Sequence, residues 1–289
     1  MAINIRTNLP ALSAQRNLDV SSNKLSTSYQ RLSSGLRINR ASDDAAGLAI
    51  AENLKAGSST ATVAMRNAND GISVITIADQ AASQIANVLN RMAELATQSS
   101  NGVIDNVQRS ALQNEFVSLA SEIERIAVTT KFNGLPLLDG QKDLSFQIGF
   151  DGSSTSQLSY GSVDIRLAGI GLASVGSSAT TFSIIGAAGT EVESQVAARS
   201  ALDAIQVALT SVNQKRGGLG ALENRLEVTI NNLQVARENF KAAESRIRDL
   251  DVATEAAELT RLNILQQAGA AVLAQANQAP QLALQLLGR

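Results

Sequence analysis

The groups that could do acid–base work in this chain are two carboxylate pairs, Asp43 with Asp44 and Asp249 with Asp251. Such a pair becomes catalytic when burial raises the pKa of one member. Here the pairs stand beside Ser42 and Arg248, in the pattern of helix caps and solvated surface. Other catalytic constellations lack their parts. The chain has no His and no Cys, which removes Ser-His-Asp triads, Cys-His pairs, the H-E-x-x-H zinc site and any Cys/His structural zinc site. No Lys follows a Gly, so there is no phosphate-binding P-loop, and Gly169 and Gly171 lack the third glycine of a dinucleotide fingerprint. No enzyme activity, metal or cofactor is expected. A formal net charge of -2 gives no electrostatic case for nucleic acid or an anionic membrane. Without Cys no disulfide can form, yet an oxidising destination stays open because nothing can misoxidise there.

The elements that would have to position any site are long helices. Of the 289 residues, 44% are hydrophobic but only 3% aromatic. The apolar area therefore comes from Ala, Leu, Ile and Val, which suits thin helical seams. Three prolines leave room for long uninterrupted helices.

Leu18, Leu25 and Leu32 recur every seven residues and predict a helix over 8–36, loosened at Ser33, Ser34 and Gly35. Ser42 is expected to cap a second helix over 45–100, with Asp43 and Asp44 in its first turn. Ile72, Ile75, Ala82, Ile85, Leu89, Met92 and Leu95 mark its apolar face, and Asn101-Gly102 ends it. Leu112, Phe116, Leu119, Ile123 and Ile126 mark a third helix over 107–130, stopped by Phe132-Asn133-Gly134. The middle changes period. Leu144, Phe146, Ile148 and Phe150 alternate as in a half-buried strand, and Asp151-Gly152 is a hairpin turn signal. Leu158, Tyr160, Val163, Ile165 and Leu167 continue as a second strand with a bulge near Gly161. Residues 168–190 read as loops with a short strand near 182–185. Helix resumes near Glu193. Beyond Gly220 two seven-residue ladders run together: Leu219, Leu226, Leu233, Phe240 and Ile247, then Leu222, Thr229, Ala236, Ala243 and Leu250. At about 1.5 Å per residue they span roughly 50 Å.

The fold class is mainly α: long antiparallel coiled-coil helices with a small β-hairpin element in the middle of the chain. A long helix at each end and a compact middle imply discontinuous domains, 1–44 with 250–289, and 45–142 with 190–249, around a β-rich element at 143–189. Ile3, Ile5 and Leu9 are interrupted by Asn4, Arg6 and Asn8, so no cleavable secretion signal forms. Residues 262–288 carry no charge, but their many amides and Pro280 oppose a membrane span. They read either as a soluble helix with one sticky face or as a helix buried between many subunits. The end segments are expected to stay mobile until other copies cover them.

Particular strings carry a resemblance. Leu32-Ser33-Ser34-Gly35-Leu36-Arg37-Ile38-Asn39 precedes Asp43-Asp44-Ala45-Ala46-Gly47, and Arg66-Asn67-Ala68-Asn69-Asp70-Gly71-Ile72-Ser73 follows. Towards the other end stand Ser245-Arg246-Ile247-Arg248-Asp249, Ala253-Thr254-Glu255, Ile264-Leu265-Gln266-Gln267-Ala268-Gly269 and Ala274-Gln275-Ala276-Asn277-Gln278. Along nearly its whole length the chain resembles bacterial flagellin, with Leu250 standing where family members often have a small residue. The resemblance implies export unfolded and uncleaved, then polymerisation into a hollow filament for motility. The terminal segments would form the inner tube and the flanking helical domain its outer wall. The stretch between Leu138 and Glu191 leaves room only for a short form without large outer domains.

The implied partners are further copies of the chain, an export chaperone, the filament cap and the hook–filament junction proteins. The implied location is an extracellular flagellum, or a periplasmic one. The implied polymerisation residues are Leu18, Leu25, Leu32, Leu259, Leu262, Leu265, Val272 and Leu273. The intrachain seam is Leu219, Leu222, Leu226, Leu233, Phe240, Ile247 and Leu250. Some flagellins are bound by Toll-like receptor 5, and the matching positions here are Arg91, Glu94, Leu95 and Glu115, with Ala93 departing from an Arg. The plainer alternative makes Leu95 seam packing and the charges solvated or subunit contacts. By the same resemblance the middle hairpin is a switch of filament shape. A hook–filament junction protein and a secreted binding module or adhesin are the alternatives; self-assembly into long polymers separates them.

Overall fold

The computed structural model describes residues 7–174, 179–186 and 190–287, with side chains as far as Gln278. Five α-helices dominate: α1 Leu9–Ser34, α2 Ala45–Ser99, α3 Asn106–Thr129, α4 Glu191–Arg248 and α5 Val252–Leu287. Among the described residues between α3 and α4 lie four short strands, β1 Lys131–Phe132, β2 Leu135–Pro136, β3 Leu144–Gln147 and β4 Gln157–Tyr160. The fold is thus mainly α, with a small β-hairpin element in the middle of the chain.

Local chemistry sets the helix ends. Asn8 accepts the Ala11 N–H at the start of α1. Gly35, at φ 70°, closes it by donating its N–H to the Arg31 carbonyl. The cap of α2 is Asp44, not Ser42: its Oδ1 accepts the Gly47 N–H at 2.9 Å. Asp43 instead accepts the Asn39 and Arg40 N–H groups at 3.1 and 2.9 Å, tying down the preceding turn. A carboxylate at the helix mouth complements the N-terminal dipole better than a hydroxyl two residues upstream. Asp105 caps α3 through the Gln108 N–H at 2.7 Å.

The chain divides into two compact units, Met1–Ser58 with Glu238–Arg289, and Ser59–Arg237. In the second unit one apolar cluster joins α2, α3 and α4. Ile75, Ile85, Leu89, Met92 and Leu95 from α2 meet Phe116 and Ile123 from α3 and Ile205 and Val212 from α4. Between them the helices bury Ala78, Ala82, Ala120, Ala127, Ala198, Ala201 and Ala208. Small residues at these positions bring helix axes together without aromatic bulk.

The β-rich middle departs from its alternation pattern. β1 and β2 pair across Asn133 and Gly134, whose φ values of 49° and 78° suit a two-residue hairpin turn. β3 and β4 pair antiparallel, with Leu144 opposite Tyr160 and Phe146 opposite Leu158. Their connection is not the Asp151-Gly152 turn; it runs through 148–156, where the Ile148 and Gly149 N–H groups both reach the Ser156 carbonyl at 2.9 and 3.0 Å. β3 therefore ends before Phe150, which is exposed. Nor is there a bulged strand to Leu167. β4 stops at Tyr160, and the next stretch pairs elsewhere, through an Asp139–Asp164 bridge and an Ile165 N–H to Leu138 carbonyl bond of 3.0 Å. The expected strand near 182–185 is likewise absent among the described residues. Ile184 donates its N–H to Gln113 Oε1 at 2.9 Å and accepts the Ser99 hydroxyl at 3.0 Å, so helix side chains take the ladder's place. Among the described residues no helix is long and apolar enough to cross a membrane.

Candidate assembly interface

In the first unit α1 and α5 run antiparallel. Asn8 Nδ2 donates to the Ala276 carbonyl at 2.8 Å. Leu18 packs over Gly269, where a Cβ would stand 3.2 Å from Leu18 Cγ. At the far end Leu36 and Asp249 form an antiparallel bridge, flanked by Arg37 N–H to Arg248 carbonyl (2.7 Å) and Leu250 N–H to Gly35 carbonyl (3.0 Å). Three contacts of falling α1 number against rising α5 number define the register.

The seven-residue ladder lies in this intrachain seam. Leu25 and Leu262 are buried, while Leu18, Leu32, Leu259 and Leu273 are half-buried. Leu265 and Val272 face out, 43% and 57% exposed. With them on the outside lie Leu9, Leu12, Val20, Tyr29 and Ile264. Ladder reading missed these because they fall off the seven-residue repeat. Their signal is visible only after the ladder has been assigned to the partner helix within the chain.

The carboxylates first inspected for chemistry do structural work. Asp251 caps α5 by accepting the Ala253 N–H at 3.0 Å and the Thr254 hydroxyl at 2.8 Å. The Thr254 hydroxyl, then the Thr254 and Ala253 N–H groups, hold its carboxyl below the ordinary Asp value. Asp43 is lowered by the Arg40 and Asn39 N–H groups. Both shifts run opposite to what a general acid needs. Asp249 accepts the Ser245 hydroxyl at 2.6 Å, and Arg248 pairs with Glu52 at 2.8 Å.

Residues 5–143 match the bacterial flagellin N-terminal helical region, and residues 202–287 match the bacterial flagellin C-terminal helical region. The chain belongs to the bacterial flagellin family. It is 47% identical to the flagellin of Halalkalibacterium halodurans, over 98% of this chain and 99% of that one. It is 40% identical to the flagellin of Bacillus subtilis over the same shares. It is 37% identical to the flagellar filament 33 kDa core protein of Treponema phagedenis, again over 98% and 99%. As a flagellin the chain is a structural subunit of the bacterial flagellar filament.

Two glycines of α2 receive bulky residues from α4. In the second unit a Cβ on Gly71 would lie 3.2 Å from Leu226 and 3.3 Å from Phe146. In the first unit a Cβ on Gly57 would lie 3.2 Å from the Phe240 ring. Of the α4 ladder, Leu219, Leu226 and Leu233 are buried; Leu222, Phe240, Ile247 and, just past the helix, Leu250 are half-buried. Arg91, Glu94 and Glu115 come together: Arg91 Nη1 meets Glu94 at 2.9 Å and Arg91 Nη2 meets Glu115 at 2.8 Å, all at the surface. Leu95 lies apart from them, 1% exposed in the core.

Sequence reading also missed Arg109, which is fully buried. Its Nε donates to the Ser99 carbonyl and its Nη2 to the Asn101 carbonyl, both at 2.9 Å. A third bond of 3.3 Å reaches Asn106 Oδ1. The guanidinium thus closes the C-terminal end of α2, where carbonyls lack helical partners.

Proposed function

We propose that the chain polymerises with copies of itself through the outward apolar face of the α1–α5 pair. The carrying observation is that Leu9, Leu12, Val20, Ile264, Leu265 and Val272 stay exposed on a two-helix pair whose inner face is already used. Leu18, Leu25, Leu32, Leu259, Leu262 and Leu273 then act one step back, by holding the pair in register, while Leu265 and Val272 touch the neighbour. Contacts of unlike faces whose rotation does not close propagate into a filament rather than a ring. Residues 1–44 with 250–289 form the inner tube in this reading, and 45–142 with 190–249 the wall. Export chaperone, filament cap and hook–filament junction proteins are its partners, and the filament lies outside the cell.

The test is seeded assembly followed by negative-stain electron microscopy. Full-length chain is compared with a version lacking the first 40 and last 40 residues, and with Leu12→Asp and Val272→Glu. Long filaments from the full-length chain alone support the proposal. Filaments from the truncated chain, or undiminished assembly of both point variants, would move the interface to the second unit. For Toll-like receptor 5, Arg91, Glu94 and Glu115 are the groups open to contact, while Leu95 is buried in the core. Arg91→Ala and Glu115→Ala should each weaken receptor binding while leaving helix content unchanged. Unaltered binding by both would leave these charges as ordinary solvated pairs.

A further inference from the structure

Apart from Gly47 in the first turn of α2, where Asp44 and Ile38 crowd the backbone, the glycines inside the helices fall into two kinds. Gly57, Gly71 and Gly269 are notches: a Cβ at each would stand about 3.2 Å from a side chain of another helix. Gly217, Gly218 and Gly220 are different, because nothing lies within 4 Å of a Cβ built at any of them. Neither sterics nor backbone geometry asks for glycine there. Yet glycine is, after proline, the poorest residue in a helix interior, and three of four consecutive positions carry it at the centre of α4.

The packing of α4 changes at the same place. On the N-terminal side Ala198, Ala201, Ile205, Ala208 and Val212 are buried, one every three or four residues. From Leu219, within the glycine segment, onward only every seventh residue is, at Leu219, Leu226 and Leu233. Immediately before the glycines the helix is gripped on two sides. Lys215 Nζ donates to the carbonyls of Asp164 and Gly169, the second at 3.2 Å. Arg216 makes a two-pronged pair with Asp79 of α2, at 2.8 and 3.3 Å. A densely held segment, a double anchor, an intrinsically weak turn and a sparsely held segment follow one another along one helix.

We propose that residues 217–220 are a bend point in α4, with Lys215 and Arg216 clamping the helix on the N-terminal side of it. A rod so built flexes at one defined place, and the anchors keep that motion from reaching the Ala-rich core.

The absence of Cys makes a direct measurement simple. Val207 and Val228 are exposed valines on one face of α4, either side of the glycines. In a straight helix their Cα atoms are about 31 Å apart. Spin labels on Val207→Cys/Val228→Cys in the full-length monomer should report a broad distance distribution. Adding Gly217→Ala/Gly218→Ala should narrow it to one peak and slow amide exchange over 217–222 by about tenfold. Adding Lys215→Met instead should broaden it, with helix content by circular dichroism confirming that the variant folds. A parent distribution as narrow as that of the alanine variant, with equal amide exchange in both, would overturn the proposal.

Discussion

Replacing Arg109 by Met keeps the length of the side chain and removes its guanidinium. Three donors disappear, and their acceptors do not fare alike. Asn101 is exposed, so water can reach its carbonyl, whereas Ser99 is fully buried. One carbonyl at the end of α2 is then left without a partner, at about 1–3 kcal/mol. The favourable meeting of a cation with a helix C-terminus is lost too, at up to about 2 kcal/mol. Against this, a buried charge no longer has to be stripped of water, which returns part of the loss. Met fills the channel of the arginine stem, so little cavity term arises. The net expectation is a loss of about 2–3 kcal/mol. With a urea slope of about 2 kcal/mol per M, the midpoint for unfolding the second unit falls by about 1 M. Arg109→Lys retains a charge but loses the fork, and should fall between. The assay is urea denaturation of the monomer by circular dichroism, paired with amide exchange over 96–110. A midpoint within about 0.2 M of the parent, with unchanged exchange at the end of α2, would refute the clamp.

Gly71→Val should destabilise the second unit by about 1–3 kcal/mol, because Leu226 and Phe146 already fill the space a side chain would need; a denaturation midpoint equal to or above the parent's would show that those side chains move aside. Burial pushes the Tyr160 hydroxyl up to about 12, and that hydroxyl donates to the Leu137 carbonyl at 2.9 Å. Its neutral form is therefore favoured by folding: the contribution is complete below pH 10 and is lost as pH rises through about 12. Tyr160→Phe should cost about 1 kcal/mol at neutral pH and flatten that alkaline decline, read from denaturation midpoints between pH 9 and 12. Asp251 shifts the other way. Its cap is intact above the ordinary Asp value and weakens as pH falls through its lowered one, so amide exchange in the first turn of α5 should quicken in acid for the parent. Asp251→Asn should show no such pH step.

The long helices were legible because each repeats its apolar spacing over many turns. The expected spans 8–36, 45–100 and 107–130 lie within two residues of α1, α2 and α3. In the β-rich middle the paired strands were legible, but their connection and the stretch beyond Tyr160 were not, since backbone groups there bond to side chains a pattern cannot foresee, such as Gln113 to Ile184. Gly71 stood inside a recognised string, but its task depends on Leu226, far along the chain. Arg109 was invisible for a related reason. A lone arginine after a turn carries no spacing signal, and only the burial of Ser99 beside it gives it a role.

The assembly face teaches the sharpest limit. A heptad ladder records a partner held in fixed register over several turns, and in the first unit that partner is the other end of the same chain. Leu25, at the middle of that ladder, is consequently already buried, as is Leu262 on the partner helix. On the proposed reading, the residues that meet a neighbouring copy are the apolar ones that this ladder leaves over. Leu12, Val20, Ile264 and Val272 fit that description: apolar, exposed and off the ladder. In a self-assembling helical pair, then, strong periodicity marks the fold, and the interface is sought among the apolar residues that periodicity leaves over.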